Sequence, residues 1–194
     1  MRLPPSIMQH RRVRLEPLGE QHRADLRQAC DADPALWRDL YPFSMAGEHF
    51  GPAWDRLMRQ AQDGSWIPFA VLVDGVCLGM TSYIAPDEAN ATVEIGGTYY
   101  APDARGGAVN PAAKRLMLAH AFAAGARRVQ FKVDAINARS RAAVLKLGAV
   151  QEGVLRQDRI TWTGRIRDTV VFSILADEWP AVRERLDERL AAFG

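Results

Sequence analysis

Residues 93–112, VEIGGTYYAPDARGGAVNPA, constrain this chain more than any other stretch. Val93 and Ile95 alternate with Glu94, and Gly96, Gly97, Thr98, Tyr99 and Tyr100 follow, so the segment opens as a strand. It passes through Pro102 and Asp103 into Arg105-Gly106-Gly107-Ala108-Val109. Asn110 then reads as a helix cap with Pro111 at the first helical position, where a missing N–H costs nothing. Strand, glycine-rich turn and helix N-terminus together suit a phosphate. Small residues let the backbone approach closely, and free amides and the positive end of the helix dipole face the anion. An ordinary strand-to-helix turn accounts for the same residues. The turn lacks the Gly-Lys-Ser/Thr ending of a P-loop. It also lacks the spaced glycines and following acidic residue of a dinucleotide fingerprint.

The rest of the chain alternates around this stretch. Val13, Leu15 and Leu18 predict a first strand ending near Pro17, after a loose arm over residues 1–10. Helices are predicted over 20–29 and 52–63; between them, 31–51 carries Trp37, Tyr41, Pro42, Phe43 and Phe50 without a clear period. FAVLVDGVCLGMTSYI alternates on both sides of Asp74-Gly75, a hairpin signal. A helix over 111–124 stops at Gly125, with Leu116, Met117, His120 and Ala124 on one stripe, so His120 reads as a packed residue. A strand follows over 127–134, then a helix capped by Asn137 and stopped at Gly148. Strands over 150–160 and 168–175 turn at Thr163-Gly164, and a last helix after Asp177 aligns Trp179, Val182, Leu186 and Leu190. The strand–helix–strand passage 92–134 predicts a right-handed parallel crossover. The fold class is therefore α/β (α+β): one mixed sheet with helices on both faces, forming a single domain over 1–194.

A net charge of +2 gives no bulk surface for nucleic acid or membrane, and no apolar run is long enough for a signal peptide or a span. Cys30 and Cys77 stand far apart in a helix and a strand, which fits a reducing cytoplasm better than a disulfide framework. His10, His22, His49 and His120 have no metal-ligand spacing, so no metal is expected.

Three runs carry a family resemblance: TYYAPDARGGAVNPAAKRLMLAHAF (98–122), NARSRAAVLKLGAVQEGVLR (137–156) and RIRDTVVFSIL (165–175). They resemble the GNAT superfamily of N-acetyltransferases, in the branch similar to the ribosomal-protein N-terminal (RimJ/RimL-type) enzymes. The resemblance runs from about residue 12 to the C-terminus and is strongest from Glu94 to Leu175. Two positions depart from it. Ala108 stands where the loop usually has a second Gly, and Arg105 where this branch often has an aromatic residue.

The resemblance implies a mostly antiparallel sheet whose central parallel strands splay apart around the pantetheine arm of acetyl-CoA, the acetyl donor. Strand glycines at 96 and 97 fit a bulge there. It implies that Arg105 and the amides of Gly106, Gly107, Ala108, Val109 and Asn110 hold the pyrophosphate, with a solvated loop residue the equal alternative for Arg105, and that an amide between Ile95, Gly96, Gly97 and Thr98 serves the oxyanion. Glu94 is the candidate general base; the alternative is a strand carboxylate that binds the substrate's ammonium or pairs with an arginine. Many members protonate the thiolate with a Tyr four residues before the helix-ending Gly. Val144 stands there, and Ser140 takes the role by resemblance, against its reading as a Ser of the first helical turn. Asn137 combines a helix cap with a contact to the pantetheine arm. Trp37, Tyr41, Phe43 and Trp54 are candidates for the acceptor wall, although aromatics of their size are mostly core. Arg156, Arg159, Arg165 and Arg167 surround the last hairpin, suited to an acidic acceptor, a cofactor phosphate or solvent. The leading acceptor is a protein N-terminal α-amine, with small amines, amino acids and antibiotics as alternatives. A homodimer is compatible with the family. A non-catalytic acyl-CoA-binding module and a nucleotide-binding protein are the rivals from other classes.

Overall fold

The computed structural model describes residues 1–193. Its strands are β1 (Met8–His10), β2 (Val13–Pro17), β3 (Trp66–Val73), β4 (Val76–Asp87), β5 (Thr92–Tyr100), β6 (Arg128–Asp134), β7 (Val150–Ile160) and β8 (Ile166–Leu175). They form one sheet in the order β1-β2-β3-β4-β5-β6-β8-β7. The helices are α1 (Arg23–Asp31), α2 (Pro34–Leu40), α3 (Phe50–Gln62), α4 (Val109–Ala123), α5 (Ala138–Lys146) and α6 (Trp179–Ala191). Among the described residues, no helix is long and apolar enough to cross a membrane.

Alternation along the strands divides the core in two. On one face Val93, Ile95, Val129, Phe131, Val170 and Phe172 meet Met117 and Leu118 of α4 and Val182 and Leu186 of α6. On the other, Ala70, Met80 and Tyr99 meet Leu26, Trp37, Phe50 and Trp54 from α1, α2 and α3. This second layer covers β3 to β5. The same face of β6 and β8 is left to polar side chains: Gln130, Lys132 and Asp134 alternate with the apolar residues of β6, and Arg167, Thr169 and Ser173 with those of β8.

Among the described residues only β5 and β6 pair in parallel, and they do so briefly, at Thr92↔Arg128, Val93↔Val129 and Glu94↔Gln130. Beyond Glu94 the two strands run on without pairing, so a wedge opens between them as the family resemblance implies. The bulge falls here too. Ser82 is opposite Gly96 but Met80 is opposite Tyr99, so β5 carries an extra residue, and Gly97 adopts φ 56°, a left-handed conformation that suits glycine.

Three expectations are corrected. The supposed loose arm of residues 1–10 contains β1, which pairs with β2 through Met8↔Leu15, and Leu3 is buried in the core. A three-residue strand is too short to show a period. The unassigned stretch 31–51 contains α2, capped by Asp33, whose carboxylate accepts from the Leu36 amide at 3.2 Å, with Pro34 opening the helix. And α4 begins at Val109, two residues before Pro111, the predicted first helical position, with Ala108 at the cap. Pro111 still lies in the first turn, where it breaks no intrahelical bond.

Candidate active site

Both strands of the wedge lead from their carboxyl ends into helix N-termini. β5 continues through the glycine turn into α4. β6 turns through residues 134–137, where the Asn137 amide donates to the Asp134 carbonyl at 2.9 Å, into α5. The open end of the wedge is thus flanked by two sets of outward-facing amides. Gly106, at φ 81°, and Gly107 leave open space where a side chain would stand. On the α5 side the Asn137 side-chain carbonyl accepts from the Ser140 amide at 2.9 Å, which is the predicted cap. Ser140 lies half-buried in that first turn. The candidate residues therefore form two groups: Glu94 to Thr98 with the loop from Arg105 to Asn110 on the β5 side, and Asn137 and Ser140 on the β6 side.

Glu94 lies at the closed end of the wedge, where the paired register stops. Its side chain is 12% exposed, and burial raises its pKa above the ordinary carboxylate range. The Lys132 ammonium, 3.2 Å away on β6, opposes that rise, as do Arg159 and Arg167 at longer range. The partner is thus a lysine, where the sequence offered an arginine. A partly desolvated carboxylate beside one ammonium can bind a proton near neutrality more readily than a surface Glu.

The bulged segment is fixed from both faces. The Tyr41 hydroxyl donates to the Thr98 carbonyl at 2.5 Å from the α2 side. From the α4 side the Lys114 ammonium donates to Thr98 Oγ1 at 2.6 Å and Thr81 Oγ1 at 3.1 Å. Lys114 is buried, and desolvation lowers its pKa to about 7. Sequence reading missed both lysines. Lys114 sits three residues before Met117, on the apolar face of α4, which was the available signal. Lys132 shares a face with Glu94 only once the β5–β6 register is known.

Arg105 is engaged within the protein. Its guanidinium donates to Asp33 at 2.6 Å and to the Tyr100 carbonyl at 2.8 Å, and lies over the Tyr99 ring. It ties the glycine turn to the start of α2. Among the proposed wall residues, Trp37 and Trp54 are core, 1% and 2% exposed. Trp37 stacks on Tyr99 at 4.4 Å, and Trp54 on Phe50 at 6.0 Å. Tyr41 and Phe43 are partly exposed beside them, with Tyr41 reaching the bulge. The β7–β8 turn closes the wall from above. The Trp162 indole donates to the Trp37 carbonyl at 3.1 Å, its amide donates to the Pro42 carbonyl at 3.1 Å, and its ring meets His49.

Comparison with known proteins agrees with this architecture. Residues 12–150 match the family model "Acetyltransferase (GNAT) domain". A Bacillus subtilis (strain 168) protein named "Putative ribosomal N-acetyltransferase YdaF" is 33% identical over 122 residues, which is 62% of this chain and 66% of that one, just under two thirds of its length. A solved structure of a "putative acetyltransferase" from T. thermophilus is 37% identical, covers 98% of this chain and 100% of its own, and superposes with a TM-score of 0.87. A GCN5-related N-acetyltransferase from Brucella melitensis is 28% identical, with coverage of 96% and 86% and a TM-score of 0.86. The splayed parallel pair, the bulged central strand and the glycine turn into α4 belong to a chain that is a member of the GNAT acetyltransferase family.

Proposed function

We propose that this protein transfers an acetyl group from acetyl-CoA directly to an acceptor amine. The observation that carries the reading is the wedge. The β5–β6 ladder ends at Glu94, the bulge at Gly96–Thr98 follows at once, and both open ends meet helix N-termini. Acetyl-CoA would supply a thioester-activated acetyl group. The residues present fit it, because Gly106 and Gly107 leave room for close approach and the unpaired length of β5 presents backbone to a ligand arm.

In this reading the amides of Gly106 to Asn110 hold the pyrophosphate, with Arg105 bracing the loop against α2. Asn137 faces the pantetheine arm while capping α5. Glu94 removes a proton from the acceptor ammonium, directly or through water, and its raised pKa suits that task. Amides between Ile95 and Thr98 donate to the charge that develops on the carbonyl oxygen, in a segment already fixed by Tyr41 and Lys114. Ser140 returns a proton to the departing sulfur. The leading acceptor is a protein N-terminal α-amine, supported by the resemblance to the RimJ/RimL-type branch and by the name of the B. subtilis relative.

The test is acetylation of a panel of peptides and small amines, followed by mass spectrometry, with Glu94→Gln run in parallel. Acetyl-CoA-dependent gain of an acetyl group that falls steeply in the variant supports the reading. Coenzyme A binding without turnover would leave only a coenzyme-binding module, and hydrolysis without amine acetylation would reject an amine as the acceptor.

A further inference from the structure

Among the described residues, Arg167 is a buried cation whose one ion pair, with Asp134, is shared with Arg165. It is 5% exposed on β8, and its Nε has no hydrogen-bond partner among the described residues. Val170, Phe172 and Ile174 pack into the α4–α6 core, so Arg167 lies on the opposite face, the one that carries Glu94 and Lys132. The carboxylates that act on it are Asp134, Asp158 and Glu94. Each is already matched. Arg165 holds Asp134, Arg159 lies 3.1 Å from Asp158, and Lys132 lies 3.2 Å from Glu94. The nearest approach of Arg167 to any of them is 3.8 Å, to the Asp134 oxygen that Arg165 occupies. Four cations thus face three carboxylates, and the surplus charge sits on the most buried of the four.

An unmatched buried guanidinium is costly, and a ligand anion offsets that cost. A singly charged, planar carboxylate matches both the surplus of one and the fork geometry of arginine. We propose that Arg167 receives a carboxylate of the acceptor, so that the amine acetylated here belongs to an anionic molecule whose carboxylate lies close to its amine. This deepens the acetyl-transfer reading and rests on it. Two sources share that chemistry, the α-carboxylate of a free amino acid and an acidic side chain beside a peptide N-terminus.

Matched pairs separate them: alanine against alaninamide, and peptides with Glu or Gln at the second residue. For each pair, kcat/KM with acetyl-CoA and Kd in the presence of coenzyme A are measured. The wild-type protein should favour the carboxylate member of one pair roughly tenfold to a hundredfold. The pair that shows it names the source. Arg167→Gln and the uncharged, similarly shaped Arg167→Met should bring that ratio towards one, while Arg167→Lys should retain part of it. A merely structural role for Arg167 would weaken both members of a pair alike. Equal values for both members in the wild type, or a preference that survives Arg167→Gln, overturns the proposal. A carboxylate preference in Kd that Arg167→Gln abolishes, with no turnover of any amine, supports the subsite and rejects acetyl transfer.

Discussion

Glu94 is pulled two ways, by burial that favours its protonated form and by Lys132 that favours its charged form. If it accepts the acceptor's proton, kcat/KM rises with pH as Glu94 ionises, on a limb above the ordinary carboxylate range. Lys132→Met removes the strongest influence holding that pKa down, so the limb should move to higher pH; a limb that stays in place assigns it to another group. Glu94→Gln should lower kcat/KM by roughly a hundredfold to ten-thousandfold with coenzyme A affinity unchanged. Lys114 makes a stability prediction of definite sign. Its folded pKa, about 7, lies below the ordinary lysine value of 10.5 because it is buried. Between these values the unfolded chain binds more protons, so this group makes stability rise with pH across that window and has no slope below it. Lys114→Met should flatten the rise, an effect on the order of a few kcal/mol read from urea unfolding at about pH 7 and pH 10.

At the level of elements, the β5 bulge is the part that local chemistry specifies most tightly. Gly97 combines φ 56° with a position where an added Cβ would stand 2.6 Å from the Trp66 ring. Gly97→Val should therefore cost at least about 1–3 kcal/mol of stability, visible as a lower denaturation midpoint. A neutral substitution would mean that the bulge is not held as described. The elements that sequence made legible have strong local signals: Asp74-Gly75 for the β3–β4 hairpin, Asn137 and Gly148 for α5, and the alternation of β6. Those it hid depend on tertiary partners. β1 is three residues long and exists by pairing with β2, and α2 is organised by burying Trp37 against Tyr99. Asn110-Pro111 is a good helix start, yet the chain is already helical at Val109, two residues before Pro111. The candidate site divides in the same way. The Asn137 cap and the strand–glycine turn–helix order were legible in residue type and spacing, whereas Glu94 became a candidate only through the family resemblance. The Lys132 pair, the Lys114 anchor and the engagement of Arg105 by Asp33 were not legible, because each joins residues distant in sequence through register or helix placement.

Across the whole molecule, three layers converge on one end of the wedge. The helical layer of α1 to α3 covers β3 to β5, the β7–β8 turn reaches across to it, and the polar face of β6 and β8 lies between. Trp162 bonds the Trp37 carbonyl of α2 and the Pro42 carbonyl just beyond it, so Trp162→Ala should loosen the acceptor side alone. Acceptor KM should rise several-fold while coenzyme A Kd stays put, and equal losses in both would place Trp162 in general folding instead. In the proposed function the wedge and glycine turn hold coenzyme A. The most direct measurement is a thermal-unfolding titration with acetyl-CoA, coenzyme A, ATP and NAD. A ligand bound only by the folded state adds about 2.7 kcal/mol of stability at a hundredfold excess over its Kd. A wedge that holds coenzyme A gives a clear rise in Tm with both coenzyme A forms and none with ATP or NAD. A rise with the nucleotides alone, or with none of the four, would contradict that claim.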